Sequence, residues 1–142
     1  MNYLIVKSII GRVLYFEAAF MLLPCFTALI YQEYSGWSFV FTALLCVLVG
    51  AVLTRKKTKN TVFYVKEGFV SVALSWIVLS FMGGLPFLFS GVISNPIDAL
   101  FETVSGFTTT GASILKDVEV LPHCMLMWRS FTHWIGGMGV LV

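Results

Sequence analysis

The sequence is poor in charge. Of its 142 residues, 11% are Asp, Glu, Lys or Arg, 9 basic against 7 acidic, where a soluble domain carries about 25%. So little charged surface cannot cover a folded globule of this size, which excludes a water-soluble domain. With 58% hydrophobic residues and a mean hydropathy of +0.92, disorder is excluded too. The net charge of +2 is too small for a nucleic-acid binder, so no nucleic-acid partner is expected. Cysteine is scarce: Cys25, Cys46 and Cys124 are odd in number and scattered, which gives neither a disulfide framework nor a close metal pair. Enzyme signatures are lacking as well, with no nucleophile–base pair, paired carboxylates or phosphate-binding loop. An integral membrane protein, or a piece of one, is what these absences leave.

Long apolar runs are what the sequence has. A bilayer core about 30 Å thick is crossed by roughly 20 helical residues. Four segments read as helices at membrane depth: Val13 to Ile30, Ser38 to Leu53, Gly68 to Phe89 and Leu121 to Val142. The first contains Glu17 and Pro24, and Glu17 is expected to pair with Arg12 or reach water. The last contains His123, Arg129 and His133. Lys7 and Arg12 precede the first run, as in a secretory leader. The run is long and charged, however, and no small-residue cleavage site follows it, so a retained helix is expected.

Charge asymmetry orients the spans. Arg55, Lys56, Lys57, Lys59 and Lys66 crowd the link between the second and third, against Glu67 alone. The turn YQEYSGW carries only Glu33, and Asp98, Glu102, Asp117 and Glu119 follow the third span against Lys116. The positive-inside rule then places the N-terminus and basic loop in the cytoplasm, with residues 31–37 and 90–120 outside. The basic loop suits anionic lipid heads or a cytoplasmic partner. Tyr31, Tyr34, Trp37, Phe63 and Tyr64 lie where aromatic rings anchor at the headgroups.

Residues 90–120, SGVISNPIDALFETVSGFTTTGASILKDVEV, are not an ordinary loop. Ser94 or Asn95 caps a helix that Pro96 begins, Asp98 favours its positive end, and Gly106 ends it. At about 11 residues, or about 16 Å, it is too short to span and suits a helix that dips in and stops. Thr108-Thr109-Thr110-Gly111-Ala112 then disfavours helix, and irregular backbone at membrane depth survives only inside protein or beside water. That is the layout of a cation filter, whose carbonyls replace an ion's hydration shell. The threonine hydroxyls would brace the strand or face the ion. A polar external loop with a glycine turn is the other reading, and the residues alone leave both open.

The motifs KEGF (66–69), GGLPF (83–87), IDALFETVSGFTTTGAS (97–113) and LPHCMLMWRSFTHWIGGMG (121–139) carry a resemblance. Together they resemble one pore unit of the Trk/Ktr/HKT potassium transporter superfamily, in its bacterial Trk-type membrane subunit. The resemblance implies an all-α integral membrane fold in which two N-terminal transmembrane helices precede one helix–re-entrant pore loop–helix unit. Residues 1–60 would form the hairpin with its basic loop. Residues 61–142 would form the pore unit, with a transmembrane helix at 68–89, a pore helix at 96–106, a filter at 108–112 and a transmembrane helix at 121–142. The family builds four linked, non-identical units around one ion path. This chain holds one, so an N-terminal fragment or truncated product is expected. A nonconducting remnant, a membrane assembly protein and a sodium-permeable relative are the alternatives.

The resemblance further implies K+ as the transported ion, no covalent cofactor, and a multi-pass place in the bacterial cytoplasmic (inner) membrane. The partners it implies are the other three pore units, a cytoplasmic nucleotide-binding regulatory ring and the lipid bilayer, with a homodimer left open. K+ would be held by the backbone carbonyls of Thr109, Thr110 and Gly111, flanked by Thr108 and Ala112. Arg129, costly at membrane depth without a partner, is expected to pair with Glu102, or secondarily Asp98, and brace the filter. Asp98 and Glu102 are also candidates for attracting cations to the mouth. His123 and His133 read as packing or interface residues, and Gly136-Gly137-Met138-Gly139 as a close helix contact.

Overall fold

The computed structural model describes residues 2–56, 59 and 62–141, with the backbone alone at 140 and 141. Lys57 of the basic loop, the 60/61 boundary and Val142 lie outside the described residues. The described chain is all helix and connection: α1 (Tyr3–Tyr31), α2 (Gly36–Thr54), α3 (Val65–Phe89), α4 (Pro96–Phe107) and α5 (His123–Leu141). α1 packs most extensively on α2 and also touches α3 and α5, while α4 packs on α3 and α5.

Several helices start elsewhere than the apolar runs suggest. α1 begins at Tyr3 rather than Val13, because Lys7 and Arg12 are carried on the helix instead of preceding it. α3 begins at Val65, three residues ahead of Gly68, because the Glu67 carboxylate reaches back to the Tyr64 amide at 3.3 Å. The same carboxylate accepts from the Asn2 amide at 2.5 Å and so ties the start of α1 to the start of α3. α5 begins at His123, after Pro122.

α1, α2 and α3 are long and apolar enough to cross a membrane. Their outer faces carry exposed Phe16, Phe26, Ile30, Phe41, Leu48, Phe69, Ile77 and Phe81, a surface suited to lipid. The chain is a multi-pass membrane protein. Four segments were expected at membrane depth, but α5 does not meet the same measure among the described residues, since Arg129, Thr132, His133 and its glycines dilute its apolar face. Arg129 instead pairs with Glu102 of α4, and Thr132 and His133 bond the Arg129 carbonyl of their own helix.

Several inward-facing hydroxyls close on their own helices, as a lipid solvent favours, while the buried Ser75 hydroxyl has no partner among the described residues. Thr42 donates to the Ser38 carbonyl at 2.7 Å, Ser71 to Glu67 at 2.7 Å and Thr103 to Ala99 at 2.8 Å. Trp128 of α5 is fully buried against Phe39, with ring centroids 5.9 Å apart, and its indole N–H donates to the Gly83 carbonyl at 3.0 Å. Glu17 departs from expectation. It neither pairs with Arg12 nor reaches water: its side chain is buried, and neither carboxylate oxygen has a hydrogen-bond partner among the described residues.

Candidate functional site

The site is built on α4. Asn95, rather than Ser94, caps it: the Asn95 side-chain oxygen accepts from the Ile97 amide at 3.0 Å, with Pro96 in the first turn. The half-buried Asp98 lies in that first turn. The helix has 12 residues and runs one past Gly106, to Phe107. At about 1.5 Å per residue it is roughly 18 Å long, little more than half the bilayer core. Small residues let it lie deep between its neighbours. A Cβ added to Gly136 of α5 would fall 2.1 Å from the Phe107 carbonyl oxygen, so no larger residue fits there without moving α4.

After α4 the backbone leaves helix through two left-handed residues, Thr109 at φ 57° and Gly111 at φ 78°. Thr108 through Ala112 are exposed. The hydroxyls are taken up locally: Thr108 donates to the Val104 carbonyl at 2.7 Å, Thr109 to the Thr108 carbonyl at 2.7 Å, and the Thr108 and Thr110 hydroxyls lie 2.8 Å apart. The amides of Thr110 and Gly111 donate to the Ser105 carbonyl at 3.0 and 3.4 Å, and the Ser105 hydroxyl donates to the Ala112 carbonyl at 2.5 Å. Among the described residues, no hydrogen bond ends on the carbonyls of Thr109, Thr110 or Gly111.

Glu102 ties this segment to α4 and α5. Its buried carboxylate accepts from Arg129 Nε at 2.5 Å, from the Ser113 hydroxyl at 3.1 Å on each oxygen, and from the Ile114 amide at 3.2 Å. The structure therefore brings Glu102, Arg129 and residues 108–114 together, and it leaves Asp98 apart at the opposite end of α4. His133 lies close by, its Nδ1 2.9 Å from the Arg129 carbonyl.

Three contributors escape a reading of the sequence. Ser105 and Ser113 hold the segment, yet a serine in a polar stretch gives no distinguishing signal. Glu33, in the turn after α1, accepts from the amides of His123 and Cys124 at 2.8 and 3.0 Å and meets His123 Nδ1 at 2.9 Å. Burial pushes the Glu33 carboxyl up, but the backbone and side-chain hydrogen bonds from Cys124 and His123 outweigh it and hold it at about 2. His123 also stacks on Tyr31, with ring centroids 4.0 Å apart. The described residues contain no group of three or more His, Cys, Asp or Glu placed to hold a metal ion.

Long apolar helices packed around a half-length helix that ends in irregular backbone define a class of multi-pass membrane proteins. The family model for TrkH, a cation transport protein, matches residues 35–142, and the chain belongs to that family. It is 37% identical over 138 residues to an uncharacterized cation transporter of Methanocaldococcus jannaschii, covering 96% of this chain and 29% of that protein. It is also 37% identical over 145 residues to the Trk system potassium uptake protein TrkH of Escherichia coli, covering 100% of this chain and 30% of that protein. The crystal structure of the potassium transporter TrkH from Vibrio parahaemolyticus superposes with a TM-score of 0.93 at 34% identity, over 99% of this chain and 31% of that one. The chain thus spans about 30% of the length of these relatives.

Proposed function

We propose that this chain is the first pore unit, with its preceding helical hairpin, of a potassium uptake system in the cytoplasmic membrane. α3, α4 and α5 form a helix–re-entrant pore loop–helix unit, and residues 108–112 supply one side of the filter. The carrying observation is the exposed stretch after α4, where the carbonyls of Thr109, Thr110 and Gly111 accept no hydrogen bond within the described chain. Unclaimed carbonyls are what a dehydrated cation needs as ligands. The C-terminal end of α4, negative by its peptide dipoles, lies beside them and favours a cation there.

Three further units are needed to close the cage, and the similarity to full-length transporters supports their presence in one longer chain. K+ is the transported ion and no covalent cofactor takes part. A cytoplasmic nucleotide-binding ring is the regulatory partner, and the basic loop is on the side where it would dock. Glu102 braces the filter through Arg129 and Ser113. With its carboxylate occupied in this way, it is Asp98, in the first turn of α4, that is free to attract cations at the mouth.

Gly111 tests the reading. Its φ of 78° is costly for any other residue, by about 1–2 kcal/mol. An added Cβ would meet only His133 Nε2, at 4.0 Å, so the constraint is conformational rather than steric within this unit. Gly111→Ala and Gly111→Ser in a full-length transporter, expressed in cells lacking potassium uptake, should raise sodium flux relative to rubidium at matched surface abundance. Unchanged ion preference in both variants would remove residues 108–112 from the ion path. A parent that conducts no rubidium would favour a nonconducting remnant.

A further inference from the structure

We propose that Ser105 of α4 is a positioning residue for the ion ligands, setting which carbonyls of the following segment face away from α4 and ending that ladder at Gly111. This deepens the filter reading and rests on it.

One buried residue contacts three peptide groups, those joining 109–110, 110–111 and 112–113. The Ser105 carbonyl accepts the amides of Thr110 at 3.0 Å and Gly111 at 3.4 Å, while its hydroxyl donates to the Ala112 carbonyl at 2.5 Å. Every described peptide bond is trans. In a trans peptide the C=O of one residue points opposite to the N–H of the next. An amide of Thr110 aimed at Ser105 therefore turns the Thr109 carbonyl away from α4, and the amide of Gly111 does the same for the Thr110 carbonyl.

Two peptides further on the sense is reversed. The Ala112 carbonyl points back at the Ser105 hydroxyl, so the carbonyl direction changes between Thr110 and Ala112. The left-handed conformation of Gly111 sits at that change. At the other end the Thr108 carbonyl accepts the Thr109 hydroxyl at 2.7 Å. Both flanking carbonyls of the stretch are thus occupied, and those between them are not.

The backbone half of this clamp belongs to any residue at position 105; the hydroxyl half belongs to serine. Without the hydroxyl, the Ala112 carbonyl loses its donor and its peptide can rotate. That alters both the number of carbonyls offered to the ion and the spacing of the cage. The consequence falls on ion affinity and discrimination rather than on folding, because Ser105→Ala leaves the α4 backbone and the Glu102 contacts in place.

The test uses the full-length transporter with Ser105→Ala, Ser105→Thr, Thr103→Ala and Gly111→Ala, measured for rubidium and sodium flux at matched amounts of folded protein. Ser105→Ala should raise the half-saturating rubidium concentration and lower the rubidium-to-sodium preference by about two- to tenfold each, the worth of one neutral hydrogen bond. Ser105→Thr, which keeps a hydroxyl, should recover most of both. Thr103→Ala removes a buried hydroxyl from the same helix that bonds only the Ala99 carbonyl, and should leave both values unchanged. If Gly111→Ala alters preference and Ser105→Ala does not, the positioning role is overturned while the filter stands. If Ser105→Ala changes only the amount of folded protein, it is likewise overturned. If neither variant shifts preference, the filter reading itself fails, and the role of Ser105 with it.

Discussion

Arg129 of α5 donates through Nε to Oε1 of Glu102 on α4 at 2.5 Å, with 1% of the Glu102 side chain and 19% of the Arg129 side chain accessible. A pair this well buried is costly to break, because removing one partner strands the other charge, at about 3–5 kcal/mol. Glu102→Gln and Arg129→Gln should each lower the thermal midpoint of the detergent-solubilised protein markedly. The double exchange, Glu102→Arg with Arg129→Glu, should recover part of that loss. Single variants as stable as the parent would show that the pair does not hold α4 to α5.

A second tie lies at the start of α5, where Glu33 caps His123 and Cys124. The carboxyl is held at about 2 against an ordinary 4.5. Such a group stabilises the folded state fully above about pH 4.5 and loses that contribution as pH falls toward 2. Glu33→Gln should therefore be less stable than the parent by about 0.5–1 kcal/mol near neutral pH. The gap in thermal midpoint should close on acidification through that window. A gap that stays constant from about pH 6 to pH 3 would mean that the Glu33 charge does not act on the helix end.

Local chemistry made α4 legible. Capping by Asn95 and the first-turn Pro96 act within a few residues, so the start of the helix can be read where it stands. The pairing of Arg129 was legible for a different reason: a cation at depth must find an acid, and few acids are available. Long-range contacts left no such trace. Glu33 and His123 are 90 positions apart, and nothing in YQEYSGW distinguishes a helix cap from a solvated turn. Ser105 is hidden in the same way, because its role depends on where the chain returns after Gly111. The start of α1 was missed because Lys7 and Arg12 resemble a flank, and length alone does not say whether a helix carries its flanking charges. As a charge within an apolar run Glu17 calls for a partner or water, yet among the described residues the fold buries it with neither.

Orientation can be tested with single cysteines. The native thiols provide a quiet background, since Cys46 and Cys124 are buried and Cys25 is half-buried. Tyr34, 91% exposed in the turn after α1, is a better reporter than Glu33, whose replacement would uncap α5. Tyr34→Cys and Lys116→Cys should react with an impermeant thiol reagent added outside intact cells, and Lys56→Cys should react only after permeabilisation. The reverse pattern would invert the topology expected from the basic loop.

Glu17 offers a stability test that turns on a single side chain. It is 2% exposed, neither oxygen is hydrogen-bonded among the described residues, and it borders a cavity of about 170 Å³ lined by Val13, Phe16, Phe20, Leu79, Phe107 and Ile135. Apart from Glu17 itself, that lining offers no polar side chain to hold a water molecule, which needs two or more partners. A buried polar group left without a partner costs about 1–3 kcal/mol. Methionine has similar length, a flexible chain and no such cost. Glu17→Met should accordingly raise the thermal midpoint, and Glu17→Ala should do less well because it enlarges the cavity. Gly83 limits the space on one side, since a Cβ there would lie 3.2 Å from Glu17 Oε1, so branched replacements should be poorer than Met. A fall in midpoint for Glu17→Met, measured on the assembled full-length protein, would mean that the carboxyl finds a donor there, and that its burial is a contact rather than a cost.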